Sequence, residues 1–224
     1  MRNLLYLFFS MFFLSACSTV PSAVIPKSME PAAGEATGTV FGSIGISRPS
    51  ALEVKAQKLY FRKIGGSELG SFSYGDVNRE MVSVNIRENS FIGNLFHVDL
   101  PAGEYEFVQY WFLWYKSYGI GGIASASYMP KSEFSVRFKV EPGKSTYLGE
   151  FSAYLDYVGG VNRGIILYPS GGYLGVADRF SRDKDLFGAT PGALKYTTYI
   201  NGKVVPDGVL GPLKEVCLVD KSRC

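Results

Sequence analysis

Between residues 133 and 140 apolar and polar side chains alternate, with Phe134, Val136, Phe138 and Val140 on one side and Glu133, Ser135, Arg137 and Lys139 on the other. A period of two is the mark of a strand with one face on a core and one toward water. The same spacing recurs at Val82, Val84 and Ile86 and at Phe96, Val98 and Leu100, each bounded by turn-forming residues. Further strands are predicted over residues 39–46, 54–64, 104–115, 145–155 and 164–168. Short strands with polar turns and no alternating long helices predict an all-β fold, an antiparallel β-sandwich or barrel. Residues 176–187 carry the one helical pattern, with Val176, Phe180 and Phe187 sharing a side, and predict a short helix outside the sheets. In the tail, residues 195–200 alternate, Asn201-Gly202 is a hairpin signal, and Lys203-Val204-Val205 follows, predicting a small C-terminal hairpin. An isolated hairpin is marginal in water, so this one must dock on the sandwich or be reinforced by a nearby cross-link.

Two turns echo one another: Phe96-His97-Val98-Asp99 leads to Pro101 and Gly103, and Phe138-Lys139-Val140-Glu141 leads to Pro142 and Gly143. Proline pre-sets one turn angle and glycine accepts a positive φ, so each unit returns the chain into the next strand. The first, Leu100-Pro101-Ala102-Gly103-Glu104-Tyr105, resembles the L-P-x-G-x-Y turn of transthyretin-like and carboxypeptidase regulatory-like β-sandwich modules. The resemblance covers residues 39–168 and implies a prealbumin-like sandwich. It hands over no catalytic residues.

Arg2 precedes an apolar run from Leu4 to Leu14, too short for a bilayer-spanning helix but the right length for the core of an export signal. The run ends in Leu14-Ser15-Ala16-Cys17, which resembles the lipobox of bacterial lipoproteins. That resemblance implies a signal peptide over residues 1–16, diacylglyceryl transfer to Cys17, cleavage before it and N-acylation of the new terminus. Ser18, in place of the Asp that favours inner-membrane retention in Gram-negative lipoproteins, implies sorting to the outer membrane. The remainder of residues 17–38 is rich in Pro, Ala, Ser and Gly and is expected to be a flexible tether with a span of about 25 Å. Residues 39–194 are then expected to form the sandwich with its helix, and residues 195–224 the hairpin and a closed tail. Acylation of Cys17 leaves Cys217 and Cys224 as an even pair in an exported chain, where disulfides persist, so these two are expected to bridge. Such a bridge would contribute about 2–3 kcal/mol in the chain-entropy model. A metal site is the competing reading, but two thiols with no nearby His make a poor zinc set.

Composition narrows the chemistry. With 46% apolar and 19% charged residues the chain is no disordered polymer. A net charge of +3, without a basic cluster longer than a dipeptide, is too mild for a nucleic-acid partner. His97 is the sole histidine, which excludes sites needing two imidazoles within one subunit. Gly143-Lys144-Ser145 ends like a phosphate-binding loop, but Phe138 stands where its first glycine is required. Gly119-Ile120-Gly121-Gly122-Ile123-Ala124 fits a dinucleotide fingerprint, yet Pro130 leaves no room for the long helix that must follow; residues 116–130 are read instead as a mobile loop. Asp183, Asp185 and Gly188 match three positions of a calcium loop, but Phe187 and Leu194 replace oxygen ligands. Asp178, Arg179, Arg182, Asp183, Lys184 and Asp185 are read as the solvated face of the helix. His97, alternating with Phe96 and Val98, should face away from the core. No cofactor or metal is expected.

The most suggestive stretch is residues 104–115, with Tyr105, Phe107, Trp111 and Leu113 on one face and Val108, Tyr110, Phe112 and Trp114 on the other. One reading is a central strand covered on both sides. The other is an aromatic surface, Tyr110, Trp111, Trp114, Tyr115, Tyr118 and Tyr128, that binds an envelope glycan or peptide, with the glycine-rich loop as a flap. Lipobox, tether and sandwich together suggest a non-enzymatic lipoprotein anchored in the outer membrane, facing the periplasm and serving as a structural or adaptor component for an envelope protein partner. A ligand-binding module is the alternative. An envelope hydrolase, third, would need scattered carboxylates to converge in a cleft.

Overall fold

The computed structural model describes residues 22–47, 54–75, 86–88, 90–117, 123–130, 132–157, 169–189, 195–204, 208–213 and 217–218. The elements are β1 (Ala23–Val24), a 3-10 turn (Lys27–Met29), β2 (Thr37–Ser47), β3 (Val54–Lys63), β4 (Gly70–Gly75), β5 (Ile86–Arg87), β6 (Phe91–Pro101), β7 (Gly103–Ser117), β8 (Ile123–Tyr128), β9 (Val136–Val140), β10 (Ser145–Tyr157), β11 (Pro169–Ala177), helix α1 (Phe180–Ala189), β12 (Tyr199–Asn201), β13 (Gly208–Leu213) and β14 (Cys217–Leu218). They form two sheets. The first runs β1-β4-β3-β7-β8-β14, with β9 also beside β7; the second runs β13-β11-β10-β2-β6-β5, with β12 also beside β10. This is the all-β sandwich that the period-two pattern predicts. The pairing is antiparallel except at the centre of the second sheet, where β10 runs parallel to both β2 and β12. Parallel neighbours need a long crossover, and here the chain passes through the first sheet between β2 and β10, a connection that leaves no local signature.

The two inner faces meet through aromatic rings. Phe72 of the first sheet stacks on Phe96 of the second with centroids 3.9 Å apart, and Phe107 meets Phe151 edge-on at 5.3 Å. Tyr105 closes the turn that the sequence singled out: its buried hydroxyl donates to the Pro101 carbonyl at 2.9 Å, and burial pushes its pKa up to about 12. In the echoing turn, Gly143 takes a φ of 70°, the left-handed region that favours glycine.

Two bulges decide which side chains enter this core. Along β7, Tyr60 faces Gln109 but Phe61 faces Phe107, so Val108 has no residue opposite it; its carbonyl accepts the Phe134 N–H at 3.0 Å. Alternation restarts after the bulge. Tyr105 and Phe107 before it and Tyr110, Phe112 and Trp114 after it therefore share the core face, all 0% exposed, while Trp111 and Leu113 turn outward and are half-buried. Strict alternation had put Trp111 with Tyr105 and Trp114 on the opposite face. Along β10, Tyr147 faces Phe41 and Glu150 faces Ser43, which places Leu148 and Gly149 opposite the single residue Gly42. Gly149 has a φ of 135°, and a Cβ there would lie 3.0 Å from the Val176 Cγ1. The bulge keeps Leu148 and Phe151 in the core and turns Tyr147 and Glu150 to the outer face.

Several expectations are corrected. The predicted flexible tether is docked from residue 22 onward: Ala23 and Val24 pair with Phe72 and Ser71, and Met29 is buried in the core. Apolar Ala23, Ile25 and Met29 supply the burial that composition alone concealed. Residues 123–128 of the expected mobile loop form β8 against β7, because the last residues of the long β7 need a hydrogen-bonding neighbour. The helix starts at Phe180, not Val176, since Val176 pairs with Phe151 in the second sheet and the Asp178 carboxylate accepts the Phe180 N–H at 2.9 Å. Residues 199–201 do not fold back as a hairpin; they join β10 in parallel beside residues 145–147, the part of its edge that β11 leaves free. The tail is tied down further by Lys195, 3.1 Å from the Asp99 carboxylate, and by the Tyr196 hydroxyl, 2.6 Å from that of Thr37. The strand predicted over residues 164–168 and the start of that at residues 82–86 lie outside the described residues.

The bulge in β7 makes a simple distinction between two neighbouring tryptophans. Trp114→Ala is expected to lower stability by about 3–5 kcal/mol in urea unfolding, whereas Trp111→Ala costs about 1 kcal/mol.

Candidate functional site

Of the six aromatic residues expected to make a binding surface, Tyr110, Trp114 and Tyr128 are fully buried members of the sandwich core and present nothing to a ligand. Burial pushes the Tyr110 pKa up to about 12. Trp111 does face outward, opposite Lys58 on β3. Tyr115 lies in β7 opposite Ser125, and Tyr118 lies outside the described residues. Cys17, Ser18 and Cys224 also lie outside them, while Cys217 is in β14, opposite Ser127 of β8.

The densest polar chemistry sits elsewhere, under α1 on the outer face of the second sheet. Phe180 and Phe187 anchor the helix, Phe187 stacking on Phe41 at 4.7 Å and Phe180 meeting Tyr147 at 5.5 Å. Asp183, at helical spacing between them, is carried to the same buried face and is 0% exposed. Its Oδ2 accepts the Ser43 hydroxyl at 2.7 Å, and its Oδ1 lies 2.6 Å from the Arg182 Nη2. Arg182 Nη2 also donates to the Ser43 Oγ at 2.8 Å, and Nη1 reaches Glu150 Oε2 at 2.8 Å and Glu88 Oε2 at 3.0 Å. The guanidinium carbon stands 5.3 Å from the centre of the Phe91 ring. At the helix start, the Tyr147 hydroxyl accepts the Arg179 N–H at 2.9 Å and hydrogen-bonds the Asp183 carboxylate. This corrects the expectation of a solvated charged face for Asp183 and Arg182, while Arg179 and Asp185 are exposed as expected: Asp183 points inward because Phe180 and Phe187 do.

Burial dominates the electrostatics. It raises the pKa of Asp183, partly offset by the Ser43 hydrogen bond and by Arg182, and raises that of Glu150, partly offset by Arg182 and Arg179. For Arg182 burial opposes the charge, but Asp183 and Glu150 outweigh it and hold its pKa above the usual value. Tyr147 is pushed up by burial and by the neighbouring Asp183. Three carboxylates, the buried Asp183 and Glu150 and the exposed Glu88, thus converge, as the hydrolase reading required. All three are engaged by Arg182, and Ser43, fully buried, has its hydroxyl proton directed at Asp183 and its oxygen held by Arg182. The arrangement acts as a clasp between helix and sheet. His97 is exposed as expected, on the same outer face, with its ring 5.5 Å from Phe187; burial lowers its pKa and Asp99 partly counters this. Asp185 and Gly188 of the rejected calcium loop belong to α1. Among the described residues no group of three or more His, Cys, Asp or Glu side chains could hold a metal ion.

The spacing of Phe180, Asp183 and Phe187 would have flagged the inward carboxylate. Nothing in the sequence marks Ser43 or Glu150, because their meeting depends on the parallel pairing of β2 with β10 and on the bulge at Gly149.

The clasp predicts a pH-dependent variant. The raised pKa values of Asp183 and Glu150 mean that the folded protein binds these protons more tightly than the unfolded chain. Their contribution to stability is therefore full below the ordinary carboxylate range near pH 4 and is lost as pH rises through the native values. Arg182→Met removes the charge that counters this, so it is expected to cost about 3–5 kcal/mol in urea unfolding at pH 7 and markedly less at about pH 4.5, where the carboxylates take up protons. Comparison with protein-family models, curated proteins and solved structures returns no match to this chain.

Proposed function

We propose that this protein is a non-catalytic, lipid-anchored module of the bacterial cell envelope, held in the outer membrane and facing the periplasm, where it serves as a structural or adaptor component for another envelope protein. The observation that carries the reading is Leu14-Ser15-Ala16-Cys17 at the end of an apolar run, shortly before the first strand. Acyl chains on Cys17 contribute about 0.8 kcal/mol per buried methylene, and more than one chain makes attachment stable. Ser18 directs the anchor to the outer membrane. The finer likeness of the sandwich to prealbumin-type modules belongs to the same reading and rests on the turn from Leu100 to Tyr105. A second reading, binding of an envelope glycan or peptide, is favoured by the outward Trp111 opposite Lys58.

Metabolic labelling of cells with an alkyne fatty acid is expected to mark the wild type and not Cys17→Ala, which should also leave the membrane fraction. Labelling and retention that persist in the variant overturn the anchor. The Cys217 and Cys224 bridge is part of the proposal. Denatured but unreduced mature protein is expected to titrate no free thiol, and two titratable thiols would remove the bridge.

A further inference from the structure

The docked N-terminal segment changes where an anchored domain must sit. Ala23 and Val24 pair with β4, and the Ser73 N–H donates to the Ser22 carbonyl at 2.8 Å. Only residues 18–21 separate Cys17 from Ser22. Five chain steps, even fully extended, reach about 18 Å. Strands in a sheet lie about 4.8 Å apart, so the far edge at β14 is some 24 Å from β1. The edge formed by β1 and β4, where Ser22 is held, is the part of the first sheet nearest to Cys17, and β8 and β14 lie beyond the reach of the connection. It carries exposed apolar side chains: Val24 is 52% exposed and Leu69, just before β4, 41%, while Ile64 is held on the β7 side of the hairpin by the Glu104 carbonyl and Met129, 41% exposed, follows β8 on the far side. Exposed Lys27 and Lys63 are matched by Glu30 and Glu68, the latter engaged by the Ser28 hydroxyl, so net charge does not dominate this edge.

We propose that the β1 and β4 edge, with Val24 and Leu69, is a membrane-contact surface that rests in the headgroup layer of the bilayer holding the Cys17 lipid. The inference rests on the lipid anchor and adds an orientation to it. The domain lies on the membrane by its N-terminal edge, with β8 and β14 directed away, and does not swing on a long tether. Apolar side chains at such a surface gain by burial among headgroups and acyl boundaries, and the short connection supplies the proximity.

The test uses the full-length lipidated protein reconstituted in vesicles of phosphatidylethanolamine and phosphatidylglycerol with alkyne-tagged acyl chains. The photoactivatable residue p-benzoylphenylalanine is placed at Val24, at Leu69 or, as a control, at the equally exposed Met129 after β8 on the far side of the sheet. Irradiation is expected to give at least about five-fold more lipid adduct from positions 24 and 69 than from position 129. Protein that floats with the vesicles but shows a ratio below about two overturns the contact surface and leaves the anchor standing. Wild-type protein that fails to float overturns the anchor and, with it, this orientation. A variant that loses folding is recognised by circular dichroism, and Leu69 and Val24, both exposed, provide independent positions for the same measurement.

Discussion

The bulge at Leu148 and Gly149 sets the order of nearly everything on the second sheet. A strand that simply alternated from Tyr147 would turn Phe151 to the outer face and drive Glu150 into the aromatic layer between the sheets, where an uncompensated carboxylate is very costly. One extra residue in β10 reverses that outcome, giving the core Leu148, Phe151, Ala153 and Leu155 and giving the outer face Glu150. The bulge favours glycine, because side-chain-bearing residues rarely adopt the φ of 135° at position 149 and a Cβ there would press on Val176.

What Glu150 meets on the outer face is a helix already held by rings. Phe180 and Phe187 pack on Phe41 and Tyr147, an apolar contact that has little preference for one axial position over another. The charged clasp supplies the missing direction. Arg182 must reach Glu150, Glu88 and Asp183 together, and Asp183 must reach Ser43, which only one placement of α1 satisfies. Buried ion pairs of this kind add little net stability relative to apolar packing, but losing one partner is expensive. The clasp is best understood as a fixer of helix position.

The two outer faces therefore differ in kind. That of the second sheet is covered by α1 and tied by charge, while that of the first presents Lys58, Tyr60 and Trp111, all half-buried. The N-terminal segment runs from the edge of the first sheet at β1 to the start of β2 in the second, burying Met29 on the way. The proposed anchor at Cys17 would act on an edge already paired into the sheet at Ala23 and Val24.

Local pattern reaches far into this fold. Period-two alternation was enough for β9 and the end of β6, further strands were placed at β2, β3, β7 and β10 between turn-forming residues, and the turn at Pro101 and Gly103 was legible from its backbone requirements alone. The likeness of the first residues to an export signal and lipobox is likewise purely sequential information, read by length, charge and spacing. Tertiary structure decided the rest. A bulge changes parity without changing composition, so Trp114 and Trp111 exchanged roles and Glu150 was invisible as a partner of Asp183. Residues 22–36 look like linker by composition, yet Ala23, Ile25 and Met29 find apolar surface that exists only once the two sheets have met. Burial, parity and partner choice are properties of the assembled sandwich, and no window of the chain contains them.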